Sequence, residues 1–430
     1  MPATSPTHRA PDDQPASRRG LKFSLIASLY VSQAIPLGFF ITAMPVILRD
    51  SGRSLESVGL FSAIALPWLI KFAWAPLVDR FGGRRRHYLA WIVPLQALGV
   101  ALVLAISQLD LGSHLGLIVA ASALFMLASA TQDIATDGLA VRSLADRERG
   151  FGNALQVGGY YLGQVLGGGV MLILFARFGW EGSLWVMAIL LAMPLLPALR
   201  WREPQGPASA VDRPGLRTLG RFFARPGAWT WVAILLLFRS GETMATFSFN
   251  QMLVDLGLSL GDIGRTAGLL YAAGALTGSM IAGAAIHRLG RRTSLTLFGG
   301  VQSLAVLSYL VPAAGGPPSL GVVAAAVFVT ALAGGLATTA LYTAMMEGSR
   351  RETAATDFTL QQSLCAVGPV IGTALSGFSV VALGFSGHFM LCAGLSALAV
   401  LGIACSRLPA EHRWASSPPT FRPAAGAESG

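Results

Sequence analysis

Long apolar stretches separated by short polar segments run through most of the chain. Twelve of these stretches have about the 20 residues that an α-helix needs to cross a hydrocarbon core of roughly 30 Å. They cover residues 22–47, 55–78, 88–107, 115–141, 152–176, 183–200, 227–251, 262–286, 293–312, 319–345, 356–382 and 388–406. The pattern predicts an all-α membrane protein with twelve transmembrane helices.

The second half of the chain repeats the first half in the same orientation. Residues 50–59 return as residues 255–264, which is 205 positions later. A parallel repeat of six spans is typical of membrane carriers whose solute site lies between two bundles, near the middle of the bilayer. The predicted organisation is a disordered cytoplasmic tail (1–21), a six-helix bundle (22–200), a cytoplasmic linker (201–226), a second six-helix bundle (227–407) and a second cytoplasmic tail (408–430).

The distribution of charge predicts an orientation in the membrane. Only 12% of the residues are charged, about half the share that is usual for soluble domains, and 53% are hydrophobic. Of the 31 Lys and Arg residues, 25 fall on the side of the two termini and four on the opposite side. This bias places both termini in the cytoplasm of a multi-pass protein of the bacterial inner membrane. It also accounts for the formal charge of +10 without a nucleic-acid partner.

Transport by this chain is predicted to be secondary, because the sequence has no phosphate-binding Walker loop. The three cysteines lie in predicted spans without the spacing of metal ligands, and the six histidines are scattered. No cofactor, no metal site and no enzymatic activity are therefore predicted. The expected partners are a small-molecule substrate, protons and the lipid bilayer, and the expected state is a monomer.

The loop after the second span carries a resemblance to a known family. Residues 79–86, DRFGGRRR, together with the twelve spans and the parallel repeat, resemble the major facilitator superfamily. In the second copy of this loop, His287 stands in place of Asp79. The resemblance implies a facilitator fold in which Asp79 and Arg80 belong to a conformational latch that is stronger in the N-terminal half.

Further segments are similar to one branch of that superfamily. They are residues 32–40, residues 67–80, residues 130–138 and, more weakly, residues 357–363. The branch holds AmpG-type muropeptide permeases, acetyl-CoA transporters and RhtX/FptX-type siderophore importers. The first two segments resemble the siderophore importers most.

Arg239 and Glu242 lie near the middle of the seventh span, one helical turn apart on one face. A charge at mid-membrane costs about 2.5–3.5 kcal/mol on insertion scales and needs a partner or a hydrated cavity. In one interpretation, Arg239 receives an anionic group of the substrate, and Glu242 holds Arg239 in the empty state or carries a proton. In the other, the two residues form a structural pair within the bundle.

Asp133 and Asp137 lie one turn apart in the fourth span, and Lys71 lies at a similar depth in the second. Two carboxylates on one helix face repel each other, which favours a proton acceptor. One interpretation is a gate in which Lys71 pairs with these acids until one of them is protonated. The alternative is a latch without a proton role, which ties Lys71 or the loop at 84–86 to the helix.

Amides, tyrosines and glycines of the spans complete the set of candidates. The amides suited to a polar ligand and the rings suited to stacking are Gln33, Gln132, Asn250, Gln361, Gln362, Tyr160, Tyr161 and Tyr342. The alternative for each is an interhelical hydrogen bond or a packing contact. Small residues allow helices to approach closely, and a glycine stripe is expected where the bundles meet. The stripe consists of Gly159, Gly163, Gly167, Gly368 and Gly372.

The leading hypothesis is a secondary active inner-membrane transporter that imports a bulky polar or anionic solute with protons, such as a ferric siderophore. Protonation of Asp133, Asp137 or Glu242 would couple proton binding to the change between two conformations. The first alternative is a permease of the muropeptide (AmpG) or acetyl-CoA type. An efflux pump for drugs or metabolites and a non-transporting sensor are the remaining alternatives.

Overall fold

The computed structural model describes residues 16–51, 62–82, 86–204, 215–314 and 319–405, which form helices and connecting turns. Most of the two expected tails and the middle of the expected linker lie outside these residues. So do Arg84 and Arg85 of the family loop and most of the repeat at 50–59.

The N-terminal half forms six helices. They are α1 (Ala16–Gly38, the π-helical turn Phe39–Ala43, and Met44–Asp50), α2 (described over Ser62–Ala65, Leu66–Ile70, Lys71–Ala73 and Ala75–Arg80), α3 (Leu89–Ser107), α4 (Leu115–Ser143), α5 (Arg149–Val165, the π-helical turn Leu166–Val170, and the first part of Met171–Ala192) and α6 (the second part of Met171–Ala192, followed by Leu195–Arg200). Helix α1 begins at Ala16 instead of residue 22, because Arg19 and Lys22 pair with Glu148 and hold its first turns.

The C-terminal half repeats this arrangement after a short linker helix, Leu216–Phe223. Its helices are α7 (Ala228–Phe238 and Ser240–Asp255), α8 (Leu260–Ile263, the π-helical turn Gly264–Leu270, and Tyr271–Leu289), α9 (Arg291–Val306, Leu307–Tyr309 and Leu310–Ala313), α10 (Leu320–Glu347), and α11 and α12 (the two parts of Ala354–Cys405).

Two glycines act as corners between consecutive helices. Gly179 (φ +70°) separates α5 from α6, and Gly384 (φ +67°) separates α11 from α12. Only glycine adopts this left-handed region without strain, so each corner turns the chain without a loop. Nine stretches of the described chain are long and apolar enough to cross a membrane. Dividing two of them at these corners and adding α2 gives the twelve helices that the sequence predicted.

The glycine stripe packs helices within each bundle and not between bundles. A β-carbon at Gly163 or Gly167 would overlap the backbone of α1, and one at Gly368 would overlap the Leu236 oxygen of α7. The expected close approach is therefore present, but its expected place was wrong. The contact between bundles uses other glycines, because a β-carbon on Gly150 of α5 would lie 3.2 Å from the Gly283 oxygen of α8.

The molecule has one apolar core at one end and two apolar cores at the other. At the end that carries the start of α1, one core joins both halves and includes Leu25, Leu139, Trp231 and Met345. At the opposite end the two halves have separate cores, one around Phe40 and one formed by residues 244–253 and their neighbours. The bundles are thus fused at the end with the termini and separated at the other end, which leaves a cleft between them.

Candidate functional site

A cavity of about 850 Å³ lies between the two bundles. Its walls come from α1, α2, α4 and α5 on one side and from α7, α8, α10 and α11 on the other. On α1 the wall extends from Tyr30 to Ile41, and on α7 it extends from Arg239 to Asn250. Both helices run away from the fused end, so the cavity begins at mid-depth and extends toward the end where the cores are separate.

Arg239 lies on the wall formed by the C-terminal bundle, at a break in α7. The regular helix stops at Phe238 and resumes at Ser240, and Gln302 of α9 donates to the Phe238 oxygen at 3.1 Å. This hydrogen bond satisfies a carbonyl group that the break leaves without its helical partner. The break in α7 therefore coincides with the position of Arg239 on the cavity wall.

The guanidinium of Arg239 has free hydrogen-bonding capacity. Its side chain is 24% exposed, and its nearest carboxylate oxygen, on Glu242, is 3.8 Å away. Its Nε is buried and has no hydrogen-bond partner among the described residues. Glu242 is buried off the cavity wall, and it accepts from Tyr271 at 2.7 Å and from Thr246 at 3.3 Å. Glu242 thus supplies a weakly bound counter-charge, while Arg239 faces the cavity.

Lys71 and Asp133 form a buried ion pair on the wall of the N-terminal bundle. The Lys71 ammonium also donates to the Gln362 side-chain oxygen at 2.8 Å, and Gln362 belongs to the other bundle. Trp68 adds a cation–π contact, with its ring centre 5.1 Å from the Lys71 nitrogen. The polar floor of the cavity therefore connects α2, α4 and α11 through one lysine.

Asp137 lies one turn beyond Asp133, is fully buried and does not line the cavity. Its Oδ1 accepts from the Tyr30 hydroxyl at 2.9 Å and from the Gln156 amide at 3.0 Å. Its Oδ2 has no hydrogen-bond partner among the described residues. Tyr30 and Gln156 themselves line the cavity. Neither Tyr30 nor Gln156 is among the site residues predicted from the sequence, although Gln156 lies at a position that both halves share.

Tyrosines make up much of the cavity wall. Tyr160 and Tyr161 of α5 pack edge to face with ring centres 5.4 Å apart, and Tyr161 packs on Tyr271 of α8 at 5.8 Å. Tyr30 and Tyr342 complete the set, so five of the seven tyrosines line the cavity. Such a wall offers apolar ring surface together with hydroxyl groups.

The predicted amides separate into two groups. Gln33, Asn250 and Gln362 line the cavity together with Tyr160 and Tyr161. Gln132 faces the interior of its own bundle and donates to Gln96. Gln361 is fully buried, where it donates to the Met345 oxygen and accepts from Trp231. The structure thus places Gln132 and Gln361 in interhelical hydrogen bonds, away from the cavity.

The end of the molecule that carries the start of α1 is closed by polar contacts between the bundles. Asp79, at the end of α2, accepts from the backbone N–H groups of Ala355 and Thr356 and from the Thr356 hydroxyl. A carboxylate at a helix N-terminus is favourable because of the unpaired N–H groups and the helix dipole, so Asp79 caps α11. Arg142 of α4 adds a bond to the Arg351 oxygen at 2.9 Å.

Arg80 and His287 do not take part in this closure. The Arg80 side chain is exposed and lies over the Phe81 ring at 5.4 Å. His287, which occupies the place of Asp79 in the second half, is also exposed. The described closure therefore depends on Asp79, and no reciprocal cap from His287 is found among the described residues.

Comparisons with known proteins agree with this architecture. The model of the Major Facilitator Superfamily matches residues 26–373. The anhydromuropeptide permease of Escherichia coli (strain K12) is 29% identical over 379 residues, which are 85% of this chain and 76% of that protein. A protein of Haemophilus influenzae is 31% identical over 409 residues, which are 89% of this chain and 93% of that protein.

Solved structures of other transporters share the fold. The major facilitator transporter FucP in its outward conformation has a TM-score of 0.69 at 15% identity, with 89% of this chain and 98% of that chain covered. A bacterial homologue of the iron transporter ferroportin, outward-facing, has a TM-score of 0.62 at 15% identity, with 89% and 97% covered. With its twelve helices, its fused and open ends and its sequence match, the chain is a multi-pass membrane transporter that belongs to the major facilitator superfamily, in the AmpG-like group.

Proposed function

We propose that this transporter imports a bulky anionic solute of the anhydromuropeptide type together with protons. The observation that carries the proposal is Arg239, whose guanidinium faces a large cavity and lacks a close partner. A guanidinium binds a carboxylate through two parallel hydrogen bonds, and the contact is strong where water is excluded. An anionic group of the solute fits this position better than a neutral one.

The remainder of the cavity supports a large solute with both polar and apolar faces. A volume of about 850 Å³ lies within the range of drug-sized ligand sites. Tyr160, Tyr161 and Tyr271 offer ring faces for a sugar ring, and Gln33 and Asn250 offer amides for peptide groups. The relative from Escherichia coli is named for anhydromuropeptide, in which a sugar carries a short peptide. This likeness supports a muropeptide as the solute, in preference to the ferric siderophore that the sequence motifs suggested.

The open end of the cavity and the charge bias of the sequence both support import. The excess of Lys and Arg on the side of the termini favours a cytoplasmic location for the fused end. The cavity then opens to the outside, ready to accept solute there. We infer that protons drive the return to the inside-open state, because carboxyl groups at mid-membrane are suited to bind and release them.

The test is uptake into proteoliposomes of labelled anhydromuropeptide, a ferric siderophore and acetyl-CoA, each with and without an inward proton gradient. We expect gradient-dependent accumulation of the muropeptide. Accumulation of the siderophore in its place would restore the first hypothesis from the sequence. Gradient-independent fluxes of all three solutes would contradict proton coupling.

Arg239→Ala tests the anion site directly. Loss of one charge-assisted hydrogen-bonded contact costs about 1.5–3 kcal/mol, which corresponds to a roughly 10- to 100-fold weaker affinity for the muropeptide. Arg265→Ala is the matched control, because Arg265 is an exposed arginine that pairs with Asp262 at the open end. If Arg239→Ala and Arg265→Ala bound muropeptide with equal affinity, Arg239 would not be part of the binding site.

A further inference from the structure

Two aspartates on one helix face lie in different surroundings. Asp133 contacts Lys71 and lines the cavity, whereas Asp137 is 0% exposed and lies behind the cavity wall. Four titratable groups approach Asp137 from the helices around it. They are Tyr30 on α1, Lys71 on α2, Asp133 on its own helix and Tyr342 on α10.

The single cation among these groups is already engaged. Lys71 contacts Asp133 and donates to Gln362, and no salt bridge reaches Asp137 among the described residues. An ionised Asp137 would therefore be buried without a counter-ion and with one oxygen unpaired. A buried, unpaired charge is strongly unfavourable, whereas a protonated carboxyl group is neutral.

The neighbouring amide fits a protonated carboxyl group. Gln156 donates through its Nε2 to Asp137 Oδ1, and its own Oε1 is buried without a partner among the described residues. Asp137 Oδ2 and Gln156 Oε1 are thus two buried acceptors without donors among the described residues, and protonation of Asp137 removes the negative charge from the first of them.

We propose that Asp137 holds the coupling proton in this state, and that Tyr30 and Gln156 are the positioning residues that connect it to the cavity. This proposal rests on the proton-coupled function proposed above. Tyr30 and Gln156 both line the cavity and both contact Asp137. A hydronium ion in the cavity gives its proton to the Tyr30 oxygen as the Tyr30 hydroxyl proton passes along its hydrogen bond to Asp137 Oδ1. Tyrosine is neutral before and after the step, and one proton has moved.

Release of that proton would alter the contact between the bundles. An ionised Asp137 adds a second negative charge near Lys71, which competes with Asp133 for the ammonium group. Movement of Lys71 toward Asp137 would break its hydrogen bond to Gln362, which crosses from one bundle to the other. Proton occupancy of Asp137 is thereby coupled to the opening of the fused end.

Asp137→Asn in proteoliposomes is the first test, because asparagine imitates a permanently neutral carboxyl group. We expect the fused end to stay closed in this variant, so that both the exchange of muropeptide across the membrane and its accumulation driven by a proton gradient are lost, whereas the protein still binds muropeptide. Retained gradient-driven accumulation in this variant would overturn the proposal.

Tyr30→Phe tests the connection, and also serves if Asp137→Asn does not fold. Removing a positioned proton donor should slow gradient-driven uptake by about tenfold or more and change its pH profile. Tyr309→Phe is the matched control, since Tyr309 is a buried tyrosine of the other bundle that contacts Thr246 and lies off the cavity wall. Identical pH profiles for wild type and Tyr30→Phe would exclude the connection.

Infrared difference spectroscopy provides a measurement that does not require a transported solute. We expect the carbonyl band of a protonated carboxyl group in purified wild-type protein, and loss of that band in Asp137→Asn. A band that persists in this variant would place the proton elsewhere. If no solute is accumulated but the band depends on Asp137, then the proposed function fails and the proton site stands.

Discussion

Gln156 and Gln361 occupy the same position in the two halves of the chain, on α5 and α11, but they have different hydrogen-bond partners. Gln156 donates to a buried carboxylate and keeps one unpaired oxygen. Gln361 donates to backbone oxygens and to Ser349, and it accepts from Trp231. The positions of Asp133 and Asp137 correspond to Ala340 and Ala344 in the second half. The same position of the repeat is therefore a polar site next to a carboxylate in one bundle and part of the core in the other.

The reverse difference holds for Arg239. The first helix of the N-terminal bundle has no positive charge along the cavity, whereas the first helix of the C-terminal bundle breaks at this arginine. The charged groups of the cavity are therefore divided between the halves, with the pair of acids and the lysine in one half and Arg239 in the other. A solute bound as proposed would contact both kinds of group at once.

The largest expected effect compares the two buried ion pairs. Lys71→Met leaves Asp133 buried and unpaired, and breaking a buried pair costs about 3–5 kcal/mol. Arg239→Met should cost much less, because Glu242 keeps its hydrogen bonds to Tyr271 and Thr246. Thermal unfolding in detergent measures both losses. Equal losses of thermal stability would mean that the two ion pairs contribute equally to the stability of the fold.

The double variant Lys71→Met/Asp133→Asn separates stability from transport. Removal of both charges should restore most of the lost stability, because no unpaired charge remains in the bundle. Gradient-driven uptake should stay absent, since the contact between Lys71 and Gln362 is gone. Recovery of uptake by the double variant would contradict a role for Lys71 in transport.

The next effect compares equivalent glycines of the two bundles. A β-carbon at Gly163 would press on Val31 and Ala34, and one at Gly368 would overlap the Leu236 oxygen more severely. Overpacking typically costs about 1–3 kcal/mol, and we expect Gly368→Ala to lie at the upper end. Gly377→Ala is the control, because nothing lies within 4 Å of its β-carbon position. The readout is again thermal unfolding, and a larger loss in the control would refute the packing argument.

A smaller effect compares the two copies of the family loop. Asp79→Asn keeps a hydrogen-bond acceptor at the N-terminus of α11 but removes the charge, which is worth about 0.3–1 kcal/mol or somewhat more where buried. We expect the population open at the fused end to increase several-fold, measured as the distance between spin labels at Arg80 and Arg288. His287→Asn should leave this distance unchanged, because His287 is exposed. If only His287→Asn changed the distance between the spin labels, the latch would belong to the C-terminal copy of the loop.

The smallest effect concerns Glu203, which follows α6 and accepts from the N–H groups of Tyr88 and Leu89 at the start of α3. Burial raises the pKa of the Glu203 carboxyl group above its ordinary value. A raised pKa in the folded state means that its contribution to stability is present in acid and is lost as the pH rises through that pKa. Glu203→Gln should therefore flatten the decline of thermal stability between mildly acidic and neutral pH. If thermal stability declined equally in Glu203→Gln and wild type, a different titratable group would be its cause.

Much of this protein was determined by the sequence alone. The apolar stretches and the 205-residue repeat were enough for twelve helices, because a segment in lipid must satisfy its own backbone hydrogen bonds and so becomes a helix. The cost of charge in a bilayer was enough to select Arg239, Glu242, Lys71, Asp133 and Asp137. The family followed from the same features and from the loop at 79–86.

The rotation and tilt of each helix were decided only by tertiary packing. Gln361 and Gln362 are neighbours in sequence, yet one lies in the core and the other on the cavity wall, because consecutive helical residues point about 100° apart. Asp133 and Asp137 share a helix face, but a small change in depth gives one of them a lysine and the other a tyrosine. A hydropathy pattern states that a side chain is inside the membrane, and only the neighbouring helices determine what it touches there.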